Sequence, residues 1–246
     1  MEVEARWKQI VQSVPELDED QLRSMVRFLL HEEEAWLGER LKNRQDQSLV
    51  IDCLGYLATE KSLAFVLRSL SDREEALQLS AAAALRWFPE EWILEPLMNM
   101  VLRQQPSAAK AGEVLAKKGE RGRDCLWEAW FDSEGYPAIQ AQILGFLAEV
   151  KEPRCEKLAF LALNSPFEEL QKAGLKAAGL MKMQSLWGNV AGLLEHGDWS
   201  VRAKAARVLA DLGDQRALPL LKSLPVDSEP WVMESRSQSI EKLESC

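Results

Sequence analysis

The chain has 246 residues, 47% of them hydrophobic, which is enough to bury a core and excludes a disordered protein. Its 39 acidic against 30 basic side chains give a formal charge of −9, which excludes a phosphate-neutralising surface over the whole molecule and disfavours nucleic acid as a partner. Only 7% of residues are aromatic and Val, Thr and Tyr runs are few, so extensive sheet is excluded and helix remains.

The opening residues, Met1 to Trp7, lack a basic region followed by an apolar stretch. No run approaches the roughly eighteen apolar residues that a membrane span needs, so no membrane insertion is expected. Cys53, Cys125, Cys155 and Cys246 form no CxxC pair, which points to reduced thiols and a cytoplasmic location. Helical periodicity runs through 3–14, 18–31 and 33–42, and residues 1–45 read as a divergent N-terminal helical cap.

From residue 46 the pattern repeats with a period of about 31 residues. Val50, Cys53, Leu54 and Leu57 form one helical stripe and Leu63, Val66, Leu67 and Leu70 a second. The same two stripes recur as Leu77, Ala81, Ala84, Leu85 and Phe88 with Ile93, Leu97 and Met100, then as Ala111, Val114 and Leu115 with Leu126, Trp127 and Trp130. They return as Ile139, Ile143, Phe146, Leu147 and Val150 with Cys155, Leu158, Ala159 and Ala162, and as Leu170, Gly174, Ala177, Ala178 and Met181 with Leu186, Val190 and Leu193. The last copy has Val201, Ala205, Val208, Leu209 and Leu212 with Ala217, Leu220, Leu221 and Leu224.

This predicts helix pairs near 47–70, 74–103, 106–131, 137–163, 166–195 and 199–224. Acidic residues Glu60, Glu90, Glu120, Glu152 and Asp214 recur where each second helix begins, as the positive end of the helix dipole favours; Met183 is the exception. Small residues at Ala81-Ala82, Gly174 and Ala205-Ala206 are expected to let adjacent first helices approach. Residues 226–246 supply one lone helix, with Trp231, Val232, Ile240 and Leu243 on its apolar side, to seal the stack. The expected fold is therefore all-α: a right-handed α-solenoid of about six helix-pair repeats over 46–225, with a capping helix after it, forming one continuous domain.

The segment HGDWSVRAKAARVLADLGDQRALPLLKSL, residues 196–224, resembles the HEAT-repeat family, in particular the short HEAT-like repeat of phycobilisome lyases. Its acidic residue, Val-Arg, Ala-Ala pair and Leu-Gly-Asp carry the resemblance. The resemblance implies a ladder between repeats from Asp198 and Arg202, with Gln171, Gln140 and Gln78 standing at the Arg202 position in other repeats and a break at Ala108. Ser107 replaces the large apolar residue of that central repeat, so an irregular point is expected near 104–122. The family hosts scaffolds, adaptors and a few enzymes, and fold alone does not choose among them.

His31 and His196 are the only histidines and lie five or six repeats apart, so no metal or cofactor site is expected. Deoxyhypusine hydroxylase, a HEAT-repeat enzyme, binds iron through several His-Glu pairs, of which only His31-Glu32 matches here. No phosphate-binding glycine loop or Gly-x-Ser-x-Gly elbow is present. The acidic charge argues against the HEAT-like DNA glycosylases, although the chain has nine Trp. A lyase or other enzyme of the phycobilin-lyase-like class is the alternative that the resemblance allows.

In HEAT-type stacks the second helices line the concave side. Projecting them outward by the repeat register brings Leu94, Asp124, Glu156, Trp187 and Leu218 to one equivalent position, with Met98, Glu128 and Phe160 beside them and Trp92 one column further. The row is apolar at its ends and acidic in its middle, which suits a protein partner with a basic, partly apolar segment. Trp127 and Trp130 are expected in the core, and Trp7, Trp36, Trp87, Trp199 and Trp231 in packing between helices.

Overall fold

The computed structural model describes residues 3–43 and 46–245, so the expectations for the first two residues and for Cys246 lie outside the described residues. These residues form sixteen α-helices and no strand. The chain divides into two compact units, Met1–Gly122 and Arg123–Cys246. The first contains α1 (Val3–Ser13), α2 (Glu19–Leu29), α3 (Glu34–Arg40), α4 (Gln47–Leu57), α5 (Glu60–Ser69), α6 (Glu75–Ala84), α7 (Glu90–Leu102) and α8 (Ala108–Lys117). Helix α9 (Glu120–Asp132) begins at its end. The second unit continues with α10 (Pro137–Glu149), α11 (Cys155–Leu163), α12 (Glu168–Leu180), α13 (Trp187–Gly192), α14 (Trp199–Leu212), α15 (Ala217–Ser223) and α16 (Pro230–Glu244).

The helix pairs that the periodicity predicts are α4–α5, α6–α7, α8–α9, α10–α11, α12–α13 and α14–α15. Their inward stripes make the core: Leu54, Leu85, Leu115, Leu147, Leu175 and Leu209 are all fully buried. One second helix is weaker than expected. Helix α13 is a short α-helical piece between two 3₁₀ turns, Gln184–Leu186 and Leu193–Glu195, because Gly188 and Gly192 are poor helix formers.

The turn inside each pair is built the same way. A single residue in the left-handed region stands after the first helix: Ala58, Gly119, Lys151, Lys182 and Gly213, with φ between 51° and 113°. Only the two glycines adopt it without a Cβ penalty. The α6–α7 turn is the exception, where a 3₁₀ turn, Leu85–Trp87, leads into Pro89. In the N-terminal segment Glu32 has φ 65° between α2 and α3, and α2 packs on α4 as α4 packs on α6. Helices α2 and α3 thus repeat the pair geometry that sequence periodicity shows only from residue 46 onward.

The acidic residues divide into two kinds. Glu60, Glu90 and Glu120 are the first residues of α5, α7 and α9, while Glu152 and Asp214 stand three residues before α11 and α15 and hold Arg154 and Arg216 two residues on. Two expectations about contacts are corrected. Gly174 makes room for the preceding second helix, not a first helix: a Cβ there would lie 3.1 Å from the Ala159 carbonyl oxygen and Ala162 Cβ on α11. The side chains at the Arg202 position also turn back on their own loops. Gln78, Gln171 and Arg202 donate to the carbonyls of Asp72, Ser165 and His196, each six residues earlier, and Gln140 donates to Trp130.

Asp198 and Arg202 nonetheless carry the expected ladder, each with a partner in a neighbouring repeat. Lys172 reaches Asp198 at 3.2 Å, and Arg202 makes a bidentate pair with Asp227 at 2.7 and 2.8 Å. In the repeat expected to be irregular Ser107 is buried, and its hydroxyl accepts a hydrogen bond from Ser71 Oγ at 2.9 Å. A polar side chain is thereby satisfied where other repeats bury Val, Ile or Leu.

Candidate binding face

Helix α9 carries Asp124 and Glu128 one turn apart, with Trp127 and Phe131 one turn apart beside them. Helix α11 presents Glu156 and Phe160 at the same spacing, with Lys157 next to Glu156. Both helices bury their other sides: Leu126 and Trp130 on α9, and Cys155, Leu158, Ala159 and Ala162 on α11 are in the core. The outward sides, with the start of α13, line an open groove of about 660 Å³ floored by Trp127, Pro153, Phe160 and Leu186. Phe160 is 47% exposed, so a large apolar ring faces solvent there.

The charges in this groove are not all free. Arg154 bridges Asp124 (2.7 Å) and Glu152 (2.6 Å), and its guanidinium lies 5.4 Å from the centre of the Trp127 ring. Glu152 is buried and also accepts from Arg123 at 2.8 Å. The hydrogen bond from Arg154 holds the Glu152 carboxyl below the usual carboxylate range, and the same bond raises Arg154 further above its ordinary value. Glu156 accepts from the Ser185 hydroxyl at 2.5 Å. Lys157 stands near Trp127 and Phe131, 5.8 and 5.7 Å from their centres.

The structure thus brings Trp127, Glu156 and Phe160 to one groove, with Asp124 at its edge and Glu128 exposed one turn along α9. Trp187 is half-buried under the guanidinium of Arg216, 4.7 Å from its centre, and its indole N–H is buried without a hydrogen-bond partner among the described residues. Leu218 on α15 is half-buried. Trp92 and Leu94 belong to the first unit, where both are half-buried on α7 and Trp92 lines another opening with Arg27, His31 and Lys61. Trp130 is in the core as expected, whereas Trp127 is only partly covered. Arg154 and Lys157 are absent from the outward projection; the signal for Arg154 is its opposite charge to Asp124 one repeat earlier.

Residues 155–241, all in the second unit, match the family model described as HEAT repeats. HEAT repeats occupy this segment. No curated protein matches the chain in sequence. Among solved structures, the archaeal HEAT-like repeats protein from Thermococcus onnurineus NA1 is 14% identical, with 86% of this chain and 97% of that chain covered and a TM-score of 0.45. The complex of CpcE and CpcF of phycocyanin lyase from Nostoc sp. PCC7120 is 14% identical, covering 85% of this chain and 94% of that chain at a TM-score of 0.38. A designed armadillo repeat protein in complex with the peptide (KR)4 is 18% identical, with 96% and 98% covered and a TM-score of 0.37.

The HEAT segment holds the groove's outer wall, α11 and α13, while Asp124, Trp127 and Glu128 precede it. Among the described residues no group of three or more His, Cys, Asp or Glu side chains could hold a metal ion, and no helix is long and apolar enough to cross a membrane. Cys53 and Cys155 are free thiols. Burial pushes the Cys155 thiol up to about 12 and raises Cys53 as well, so neither provides a thiolate nucleophile near neutral pH.

Proposed function

We propose that the chain is a protein-binding scaffold whose second-helix face in the second unit receives a partner segment, with Phe160 as the anchor. The observation that supports this is a half-exposed aromatic ring in an open groove, flanked by Trp127 and by charges held in fixed positions by neighbouring repeats. Rigid aromatic anchors beside fixed polar groups are the usual centre of a protein interface. The segment that fits is apolar at its centre and basic at its flank. Asp124 is neutralised by Arg154, so Glu128 and Glu156 are the acids left to meet it. Trp187 and Leu218 are half-buried and take a secondary part.

The test is affinity purification of the tagged chain, with mass spectrometry of retained proteins, alongside Phe160→Ala and Glu128→Lys. Phe160→Ala is expected to weaken the retained partner by about 2 kcal/mol or more while changing folding stability by only about 0.5 kcal/mol. Glu128→Lys should chiefly slow association and flatten its salt dependence. Retention unaffected by Phe160→Ala would remove this face from the binding site.

A further inference from the structure

The first unit has a second groove, between α6 and α8, which is distinct from the second-helix face and does not depend on it. One wall is Leu79, Ala82, Ala83 and Arg86; the other is Lys110, Glu113, Val114 and Lys117. Each set falls at i, i+3, i+4 and i+7, so two helical ridges run side by side for two turns, about 10 Å. Contact between α6 and α8 is the thinnest of the first-helix neighbours in this unit. Ala82 and Ala83 have no side chain beyond Cβ to fill the gap, and Leu79 is left half-exposed in it.

The electrostatics of this groove oppose those of the molecule. A chain with an excess of acids places four cations, Arg86, Lys110, Lys117 and Lys118, against Glu113 alone in the lining. Lys118 is occupied in holding the backbone, since its ammonium donates to the carbonyls of Leu85, Arg86 and Phe88 at 2.9 to 3.2 Å. Arg86 is paired with Glu19, and Lys110 stands 3.5 Å from Glu113. Lys117 is exposed and makes no ion pair among the described residues.

We infer that this groove docks an amphipathic α-helix of a partner protein, apolar on one stripe and acidic along its flank. An apolar floor bounded by two straight ridges suits side chains that recur at helical spacing, as in helix-in-groove recognition. Lys117 and Lys110 meet the acidic flank, which a basic helix would not tolerate.

The probe is a fluorescein-labelled peptide of about 16 residues, long enough to form helix, with Leu at i, i+3, i+4 and i+7 and Glu on the flanks. Two controls have the same composition with the Leu stripe scrambled, or Lys in place of Glu. Anisotropy titration of the full chain should show binding about ten-fold tighter for the striped acidic peptide than for either control. Leu79→Glu and Lys117→Glu should each weaken it by about ten-fold, and Phe160→Ala should leave it unchanged, which separates this groove from the second-helix face. Thermal melts establish that the variants fold; Lys117→Glu alters an exposed side chain and retains the test if Leu79→Glu does not fold. Absence of binding, equal binding of the scrambled peptide, preference for the Lys peptide, or indifference to Lys117→Glu overturns the inference. So does a concentration-dependent dimer that Leu79→Glu dissolves, which would assign the groove to a second copy of this chain.

Discussion

The two units build the same helix pair with different cross-links. In the second unit each neighbouring pair of first helices is tied by charge: Glu149 to Lys176, Lys172 to Asp198, and Asp211 to Lys242. Arg202 and Asp227 add a bidentate pair whose side chains are only 15% and 16% exposed. The first unit also pairs charges between helices, Arg6 with Glu33 and Arg86 with Glu19, and it groups cations on the rings of three tryptophans. Arg40 lies 4.8 and 5.2 Å from the centres of Trp7 and Trp36, and Arg23 and Arg86 lie 4.4 and 4.8 Å from that of Trp87. The segment that the HEAT model matches, residues 155–241, contains the Lys172–Asp198 and Arg202–Asp227 links. The first unit keeps the pair geometry outside the matched segment.

The largest expected effects fall on the cores, where the units should behave alike. Leu85→Ala and Leu209→Ala, one in each unit and both fully buried, should each cost about 2–5 kcal/mol in urea unfolding. A near-neutral result at either would break the equivalence of the two stacks. Removing the charge link should affect only the second unit: Arg202→Ala should cost about 1.5–3 kcal/mol, because Asp227 loses both hydrogen bonds from a charged donor.

The units should respond to pH in opposite directions. Burial pushes the Asp52 carboxyl on α4 up to about 6, so the folded first unit holds that proton more tightly than the unfolded chain, where the value is about 3.9. This contribution lowers stability as pH rises from about 4 through 6. Asp52→Asn should accordingly stabilise the protein by about 1–3 kcal/mol at pH 7, with the gain fading toward pH 4. Asp198 is held at about 2, first by the Ser200 hydroxyl and then by the Val201 N–H and Lys172, so its contribution is present above about pH 4 and is lost as pH falls toward 2. Urea titrations of wild type and Asp52→Asn across this range measure the difference.

The smallest effect concerns the left-handed turns. Lys151 and Lys182 occupy the position that Gly119 and Gly213 fill in other pairs. Lys182→Gly should raise stability by up to about 1 kcal/mol, as relief of the Cβ clash outweighs the added freedom of the unfolded chain. Thermal denaturation with no gain, or a loss, would show that the lysine side chain contributes more than its backbone costs.

The sequence by itself determined the helix pairs and their order, because a helix of several turns shows its buried side every three to four positions and that signal is local. It placed Trp130 in the core, as its position on the inward stripe of its helix requires, and left the exposure of Phe160 to the tertiary structure. Only the tertiary structure decided which outward residues are available. Asp124 is neutralised by an arginine 30 residues away, Trp187 is roofed by Arg216, and Trp199 and Trp231, expected in packing, are 43% and 60% exposed. The α6–α8 groove likewise depends on how closely two helices approach, which the side chains of neither helix specify alone. Periodicity records which face of a helix is covered; it does not record what a long side chain from the next repeat reaches across to cover.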